Sequence, residues 1–109
     1  MKTYVGRRDE HEHAVVTVVD EAGERPLPLR RDLRDHSLEY NWGYGGSGPA
    51  QLALAILADF LGDPVEAEAQ HQDFKVHVIA HLPQREPWRL TEMQVAVALR
   101  AIAIERERE

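Results

Sequence analysis

A glycine-rich loop at residues 43–49, with the sequence GYGGSGP, has the residue types best suited to ligand binding in this chain. Consecutive glycines can turn their amides toward one point, and the start of a following helix adds unpaired N–H groups with a positive partial charge. The loop therefore predicts a site for a small anion or a nucleotide. It does not match the Walker pattern for nucleoside triphosphates, because Pro49 and Ala50 follow its last glycine where Lys and Ser or Thr are required. Ser47 also fails the G-x-S-x-G pattern of a nucleophile, since Pro49 stands two residues after it.

The same loop also has a purely structural interpretation. Its glycines let the backbone reverse direction and pack closely before a buried helix, with Ser47 capping the first amides of that helix. Trp42 and Tyr44 alternate with glycines, and aromatic residues on an irregular loop often line a recognition surface or cover the core. We expect the glycines to serve the turn and both aromatic side chains to be partly exposed for contact. The predicted binding residues are Trp42, Tyr44, Gly45, Gly46, Ser47 and Gly48.

Six histidines suggest a metal site. His11 and His13 share one face of a predicted strand, and His77 and His81 share one face of a predicted helix, so each pair supplies half of such a site. Neither pair belongs to a carboxylate-containing signature such as H-E-x-x-H. We therefore expect solvated or hydrogen-bonded histidines, no metal and no cofactor.

The sequence contains side chains suited to acid–base chemistry, but no motif that brings them together. His36, Glu39 and the two helix histidines carry suitable groups, yet nothing in the sequence places a base beside a nucleophile. No catalytic residue is predicted, and an unrecognised hydrolase is the third hypothesis for the function.

The composition restricts the class of protein. With 109 residues, of which 43% are hydrophobic, the chain suits one compact domain, 1–109, and is too short for two ordinary ones. A net charge of −6 argues against direct binding of nucleic acid, which depends on clustered Lys and Arg. Cysteine is absent, and no apolar run suits a secretory signal or a membrane span. We expect a cytoplasmic protein without a membrane contact.

The two halves of the chain predict different elements. In the N-terminal half, segments 2–8 and 11–20 contain β-branched and aromatic residues in alternation, with Ala14, Val16 and Val18 on one face of the second strand. A turn around Gly23 and a short strand at 27–30 complete a small antiparallel sheet.

The C-terminal half predicts about three helices. Pro49 suits the first turn of a helix that runs to about Leu61 and ends at Gly62. The apolar residues of this helix point in nearly every direction, so we expect it to be enclosed on most sides. The fold class is therefore α+β, with the sheet packed against the helices.

Capping signals place the other two helices. Asp63 precedes a second helix that should run to about His81 and stop before Pro83. After a loop at 83–88, the spacing of Thr91 and Gln94 is that of a capping box and opens the third helix. That helix is apolar on more than one side, so we expect a homodimer built on Val95, Leu99 and Ile102.

Three blocks of the sequence resemble an uncharacterised domain family that occurs in bacterial chromosomes, plasmids and phages. The blocks are YNWGYGGSGPAQLALAILADFLGD, DFKVHVIAHLP and LTEMQVAVAL. The family pattern also includes an N-terminal Y-x-G-R element, here Tyr4, Gly6 and Arg7, and a Phe-Lys pair, here Phe74 and Lys75. The resemblance implies a shared fold and an association with mobile elements, and it implies no reaction.

A non-enzymatic interaction module of phage or plasmid type is the leading hypothesis, because a phage context suggests interference with a host defence system through binding of a host protein. A small anion- or nucleotide-binding domain at the glycine-rich loop is the alternative. The hydrolase comes third.

Overall fold

Four strands and three α-helices are present in the computed structural model, which describes residues 1–108. In chain order they are β1 (Thr3–Arg8), β2 (Ala14–Asp20), β3 (Gly23–Pro26), α1 (Ser47–Leu61), α2 (Pro64–His77), β4 (Trp88–Thr91) and α3 (Glu92–Glu107), with a 3-10 turn at Ile79–His81 after α2. The predicted α+β class, with an antiparallel sheet and three helices, is confirmed. None of the helices within residues 1–108 is long and apolar enough to cross a membrane.

The sheet is antiparallel throughout, with the strand order β3-β2-β1-β4. Val16 and Val18 of β2 are buried, as the alternation in the sequence predicted. The third strand, however, is Gly23–Pro26, and the prediction of a strand at 27–30 was wrong. Pairing begins directly after the turn, with Asp20 opposite Gly23. The last hydrogen bond between the two chain segments runs from the Leu27 N–H to the Val16 carbonyl. The next residue, Pro28, has no N–H with which to continue the pairing.

The fourth strand was not predicted, because the sequence indicated a loop at 83–88 followed by a helix that opens at Thr91. β4 pairs with β1, with Leu90 opposite Tyr4 and Trp88 opposite Gly6. β4 has only four residues, so the alternation of buried and exposed positions is short. Its pairing partner, β1, lies at the other end of the chain. Such a short strand carries little periodic signal.

The first helix lies at the centre of the core, as predicted. Its residues 48–58 are all buried, and it ends at Gly62, whose φ is 65° and whose N–H donates to the Ala58 carbonyl. The helix begins at Ser47, two residues earlier than predicted, and Gly46 at the N-cap provides no side-chain hydrogen bond. Ser47 is therefore the first helical residue and does not cap the helix.

The capping signals of the other helices are confirmed. The Asp63 side chain accepts hydrogen bonds from the Val65 and Glu66 amides, and Thr91 and Gln94 form a complete capping box. α2 ends at His77 instead of His81, because Val78 has φ −123° and ψ −62° and leaves the helical conformation.

The buried hydrophobic residues form one cluster to which every strand except β3 and all three helices contribute. Val95 and Ile102 of α3 belong to this cluster, with 1% and 4% of their surface exposed. These two residues therefore cannot form the dimer contact that the sequence predicted, since they already pack within their own chain. Leu99 is partly buried against the same cluster.

Candidate functional site

Trp42 lies in the core, so the prediction that it is partly exposed for contact was wrong. Its side chain is fully buried, and its ring meets that of Trp88 edge to face, with 5.5 Å between the centroids. Both indole N–H groups are buried and have no acceptor within residues 1–108. Shape and aromatic contact therefore hold this pair in place.

Gly6 makes room for the tryptophan pair. A Cβ atom at this position would overlap the indole ring of Trp88, which lies opposite Gly6 on β4. The glycine of the Y-x-G-R element thus has a packing role. Tyr4, two residues earlier, points to the same side of β1 and donates a hydrogen bond to the Asp59 carboxylate over 2.8 Å.

Asp59 joins α1 to two strands. Besides Tyr4, it accepts hydrogen bonds from the Lys2 ammonium at 3.2 Å and the Arg25 guanidinium at 2.7 Å. Burial acts to raise the pKa of Asp59, but the bonds from Arg25, Tyr4 and Lys2 outweigh it and hold the pKa below its ordinary value. This cluster is fully satisfied, and we assign it a structural role.

Arg8 continues the inward-facing series of β1 and ends at the surface. Its guanidinium carbon lies 4.5 Å from the centroid of the Trp42 ring. Nη2 donates to Oδ1 of Asn41 over 2.8 Å, and Nε donates to the Gln84 carbonyl over 3.2 Å. The sequence prediction omitted Arg8, although the series Tyr4, Gly6, Arg8 on one face of a predicted strand was a signal for it.

A polar cleft opens beside Arg8. Its volume is about 380 Å³, and its lining residues are Arg8, Glu12, Asn41, Gln84 and Arg85. The lining comes from the end of β1 and the turn that follows it, the segment before the glycine-rich loop, and the loop before β4. We call this feature the Arg8 cleft.

Two glycines of the loop have structural roles. Gly43 has a φ of 85°, which favours glycine, and its N–H donates to the Ile79 carbonyl over 3.1 Å. A Cβ atom at Gly48 would lie 2.7 Å from Cβ of Asn41, so the start of α1 packs directly against that residue. The loop backbone is therefore fixed to the core at both ends.

The exposed part of the loop is a small surface around Tyr44, which has 42% of its area exposed. Gly45 and Ser47 are exposed beside it, and we call these three residues the Tyr44 surface. The Tyr44 ring lies against Gly46, where a Cβ atom would approach it to 2.5 Å. Of the six predicted binding residues, the structure thus exposes three, half-buries Gly46, and buries Trp42 and Gly48.

Asn41 connects the Tyr44 surface to the Arg8 cleft. Its Oδ1 accepts hydrogen bonds from the Arg8 guanidinium and from the Trp42 amide, and its Nδ2 donates a long bond of 3.4 Å to the Tyr44 hydroxyl. The two features therefore form one continuous site on the molecule.

The histidine pairs of the metal hypothesis are not arranged as that hypothesis requires. His11 lies in the turn after β1, and His81 lies in the 3-10 turn beyond the end of α2. His77 is instead 3.0 Å from the Glu105 carboxylate, which raises its pKa above the ordinary value. Within residues 1–108, no group of three or more His, Cys, Asp or Glu side chains is placed to hold a metal ion.

A different histidine pair was missed. Nε2 of His36 lies 2.9 Å from Nε2 of the buried His71, whose Nδ1 is 2.6 Å from the Glu68 carbonyl. Because a carbonyl only accepts, Nδ1 of His71 carries a proton, and in the neutral pair His36 donates to His71. Burial, followed by the effects of His71 and Arg34, lowers the pKa of His36. The buried Gln51 side chain accepts from the His36 amide over 2.8 Å and so fixes this segment on α1.

The chain belongs to the family of unknown function DUF6166, whose model matches residues 4–101. This match confirms the resemblance to an uncharacterised domain family, and the matched range contains the Tyr44 surface and the Arg8 cleft. No curated protein and no solved structure matches the chain.

Proposed function

We propose that this chain is a non-enzymatic interaction module that binds a protein partner through the Tyr44 surface and the adjoining Arg8 cleft. The observation that carries the proposal is an exposed aromatic side chain on a loop that is fixed to the core. Tyr44 is 42% exposed, while Trp42 and Gly43 on its N-terminal side are held by the core and by the Ile79 carbonyl.

This arrangement has the features of a binding hot spot. Tyr and Arg are enriched among the residues that dominate interface energies, and Tyr loses little conformational entropy on binding. A fixed backbone further reduces the entropy lost when a partner binds. In the phage or plasmid setting that the resemblance suggested, the partner is a host defence protein of the cytoplasm, which the module inhibits by occupying its surface.

Affinity capture from host lysate tests the Tyr44 surface. Tyr44→Ala should reduce the captured partner at least about tenfold, as expected for a hot-spot residue, while the melting temperature changes little. Val65→Ala is the matched control, because Val65 is 76% exposed on α2 outside the proposed site. Equal capture by wild type and Tyr44→Ala would show that the surface is not the interface.

Anion or nucleotide binding at the same site is the second candidate. It is supported by two arginines, Arg8 and Arg85, that line one cleft close to the start of α1. Against it, the Tyr44 ring covers Gly46, where an added Cβ atom would approach the ring to 2.5 Å, so this glycine is less open to a ligand. A nucleotide that binds only the folded state must raise the melting temperature, so a thermal scan with nucleotides separates the candidates. Release of phosphate in those samples would instead support the hydrolase hypothesis.

We also propose a homodimer, with a contact that differs from the one predicted from sequence. The exposed apolar side chains of α3 are Met93, Val97 and Ile104, with 63%, 60% and 41% of their surface exposed. Their spacing of four and seven residues places them along one side of the helix. A second copy of the chain offers the same stripe and therefore a symmetric contact.

A further inference from the structure

We infer that the Arg8 cleft is a receptor for an acidic side chain of the partner protein, with the Arg8 guanidinium as the group that binds the carboxylate. The inference deepens the proposed function and rests on it, because Asn41 joins this cleft to the Tyr44 surface.

Arg8 differs from the other hydrogen-bonded arginines of the chain in its partners. Arg25, Arg30, Arg31, Arg34 and Arg106 each form an ion pair with an Asp or Glu carboxylate at 2.7–3.1 Å. Arg8 instead donates to two neutral oxygens, and within residues 1–108 it forms no ion pair with a carboxylate. Its positive charge is therefore not neutralised by a hydrogen-bonded partner.

The guanidinium also retains donors for a ligand. It has five N–H groups, of which the Gln84 carbonyl and Asn41 Oδ1 take one each. These two bonds and the contact with the Trp42 ring fix the plane of the guanidinium, so little side-chain entropy remains to be lost. A fixed planar fork with free donors matches the geometry of a carboxylate.

The charges around the cleft favour a carboxylate over a phosphate or a nucleic acid. Arg8 and Arg85 provide two positive charges, and Glu12 on the lining offsets one of them. The remaining single charge is balanced by one side-chain carboxylate, whereas a phosphate dianion would bring two negative charges into the cleft beside Glu12. The net charge of −6 further disfavours the approach of a polyanion.

Titration by NMR with two capped dipeptides tests the inference. The probe is a diglutamate peptide with blocked termini, and the matched control is the corresponding diglutamine peptide, which lacks the charge. We expect the diglutamate peptide to shift the Arg8 Nε–H signal and the Asn41 and Gln84 amide signals, and the diglutamine peptide to leave them unchanged.

Three variants assign the binding to the cleft. Arg8→Lys keeps the charge but loses the fork, and we expect its affinity for the diglutamate peptide to fall about tenfold. Arg85→Ala removes the second charge of the cleft, and we expect a smaller loss of about threefold. Arg100→Ala, at an exposed position on α3, should bind like wild type. If Arg8→Lys does not fold, Arg85→Ala against Arg100→Ala decides the question.

Several results would overturn the inference. They are equal responses to the two peptides, equal affinities of Arg85→Ala and Arg100→Ala, and saturation by inorganic phosphate at a lower concentration than by the diglutamate peptide. Failure of the inference is distinguishable from failure of the proposed function. If Tyr44→Ala loses the captured partner while Arg8→Lys retains it, the interface stands and the carboxylate receptor is wrong.

Discussion

At the scale of single residues, the site depends on contacts in which one carbon atom decides the packing. Gly6 is compatible with Trp88 only because it lacks a Cβ atom, and Gly48 is compatible with Asn41 for the same reason. Trp42 packs against both Arg8 and Trp88, so a shift of the tryptophan pair would also displace Arg8 in the cleft. The glycines near the site are therefore not interchangeable.

Gly6→Ala should lower the free energy of unfolding by about 1–3 kcal/mol, because the new methyl group must displace a buried indole ring. Gly45→Ala is the control, since a Cβ atom there meets no other atom within 4 Å. We expect that control to stay within about 0.5 kcal/mol of wild type. Urea titrations of the three proteins measure both values, and equal stability of Gly6→Ala and Gly45→Ala would contradict the packing role of Gly6.

Trp42→Ala should cost about 3–5 kcal/mol of stability, as expected for removal of a large buried aromatic side chain. Tyr44→Ala should cost much less, because its ring is partly exposed. If Trp42→Ala still folds at low temperature, a loss of partner affinity per folded molecule reports the displacement of Arg8 and of the loop that carries Tyr44, because the buried Trp42 ring does not itself reach a partner. Chemical denaturation measures the stabilities, and a loss below about 1 kcal/mol for Trp42→Ala would place the indole outside the core.

At the level of helices and strands, local sequence signals predicted the helix ends correctly, whereas the strand pairing between distant segments was not predicted. The caps at Asp63 and Thr91 and the stop at Gly62 are set by neighbouring residues, so they were visible in the sequence. β4 was missed because its strand identity comes from pairing with β1, more than 80 positions earlier in the chain. The Arg8 cleft could not be predicted for the same reason, because its lining residues come from three segments that are far apart in the chain.

The contact between the segment around His36 and α2 should weaken as the pH falls. The folded-state pKa of His36 lies below its ordinary value of 6.5, so the unfolded chain binds more protons in this range. The neutral His36 therefore contributes stability above pH 6.5 that is lost as the pH falls toward the folded-state pKa. Burial disfavours the protonation of His36 most, followed by His71, Arg34 and Lys75, whereas Asp35 favours it.

Urea midpoints of wild type and His36→Gln at pH 7.5 and pH 5.5 measure this effect. The wild type should lose more stability between the two pH values than the variant, because glutamine does not titrate. Comparing the two proteins at each pH removes the opposite contribution of His77, whose pKa is raised. Equal losses in both proteins would show that the His36–His71 contact does not control the pH dependence.

At the scale of the whole molecule, the surface charge is uneven. The chain carries a net charge of −6, yet the Arg8 cleft has two arginines and one glutamate. The composition argues against direct binding of nucleic acid, and this stays a prediction, whereas the local excess of positive charge depends on the fold. A partner that presents an acidic side chain to this cleft is thereby favoured over one that presents a basic one.

The exposed stripe of α3 leads to a prediction about assembly. Met93, Val97 and Ile104 are only three side chains on one side of a single helix, whereas a stable interface buries roughly 1,200 Å² or more. We therefore expect a weak homodimer that forms at high concentration and dissociates on dilution. Light scattering over a concentration series should show a mass rising toward twice that of one chain.

Val97→Glu should abolish this rise, because in a symmetric dimer it places two like charges at the contact. Val76→Glu is the matched control, since Val76 is 55% exposed on α2 and the same change there leaves the stripe intact. A wild-type mass of one chain at every concentration would exclude the dimer. Equal dissociation by both variants would trace the association to net charge instead of the α3 stripe, because the two substitutions add the same charge and differ only in their position.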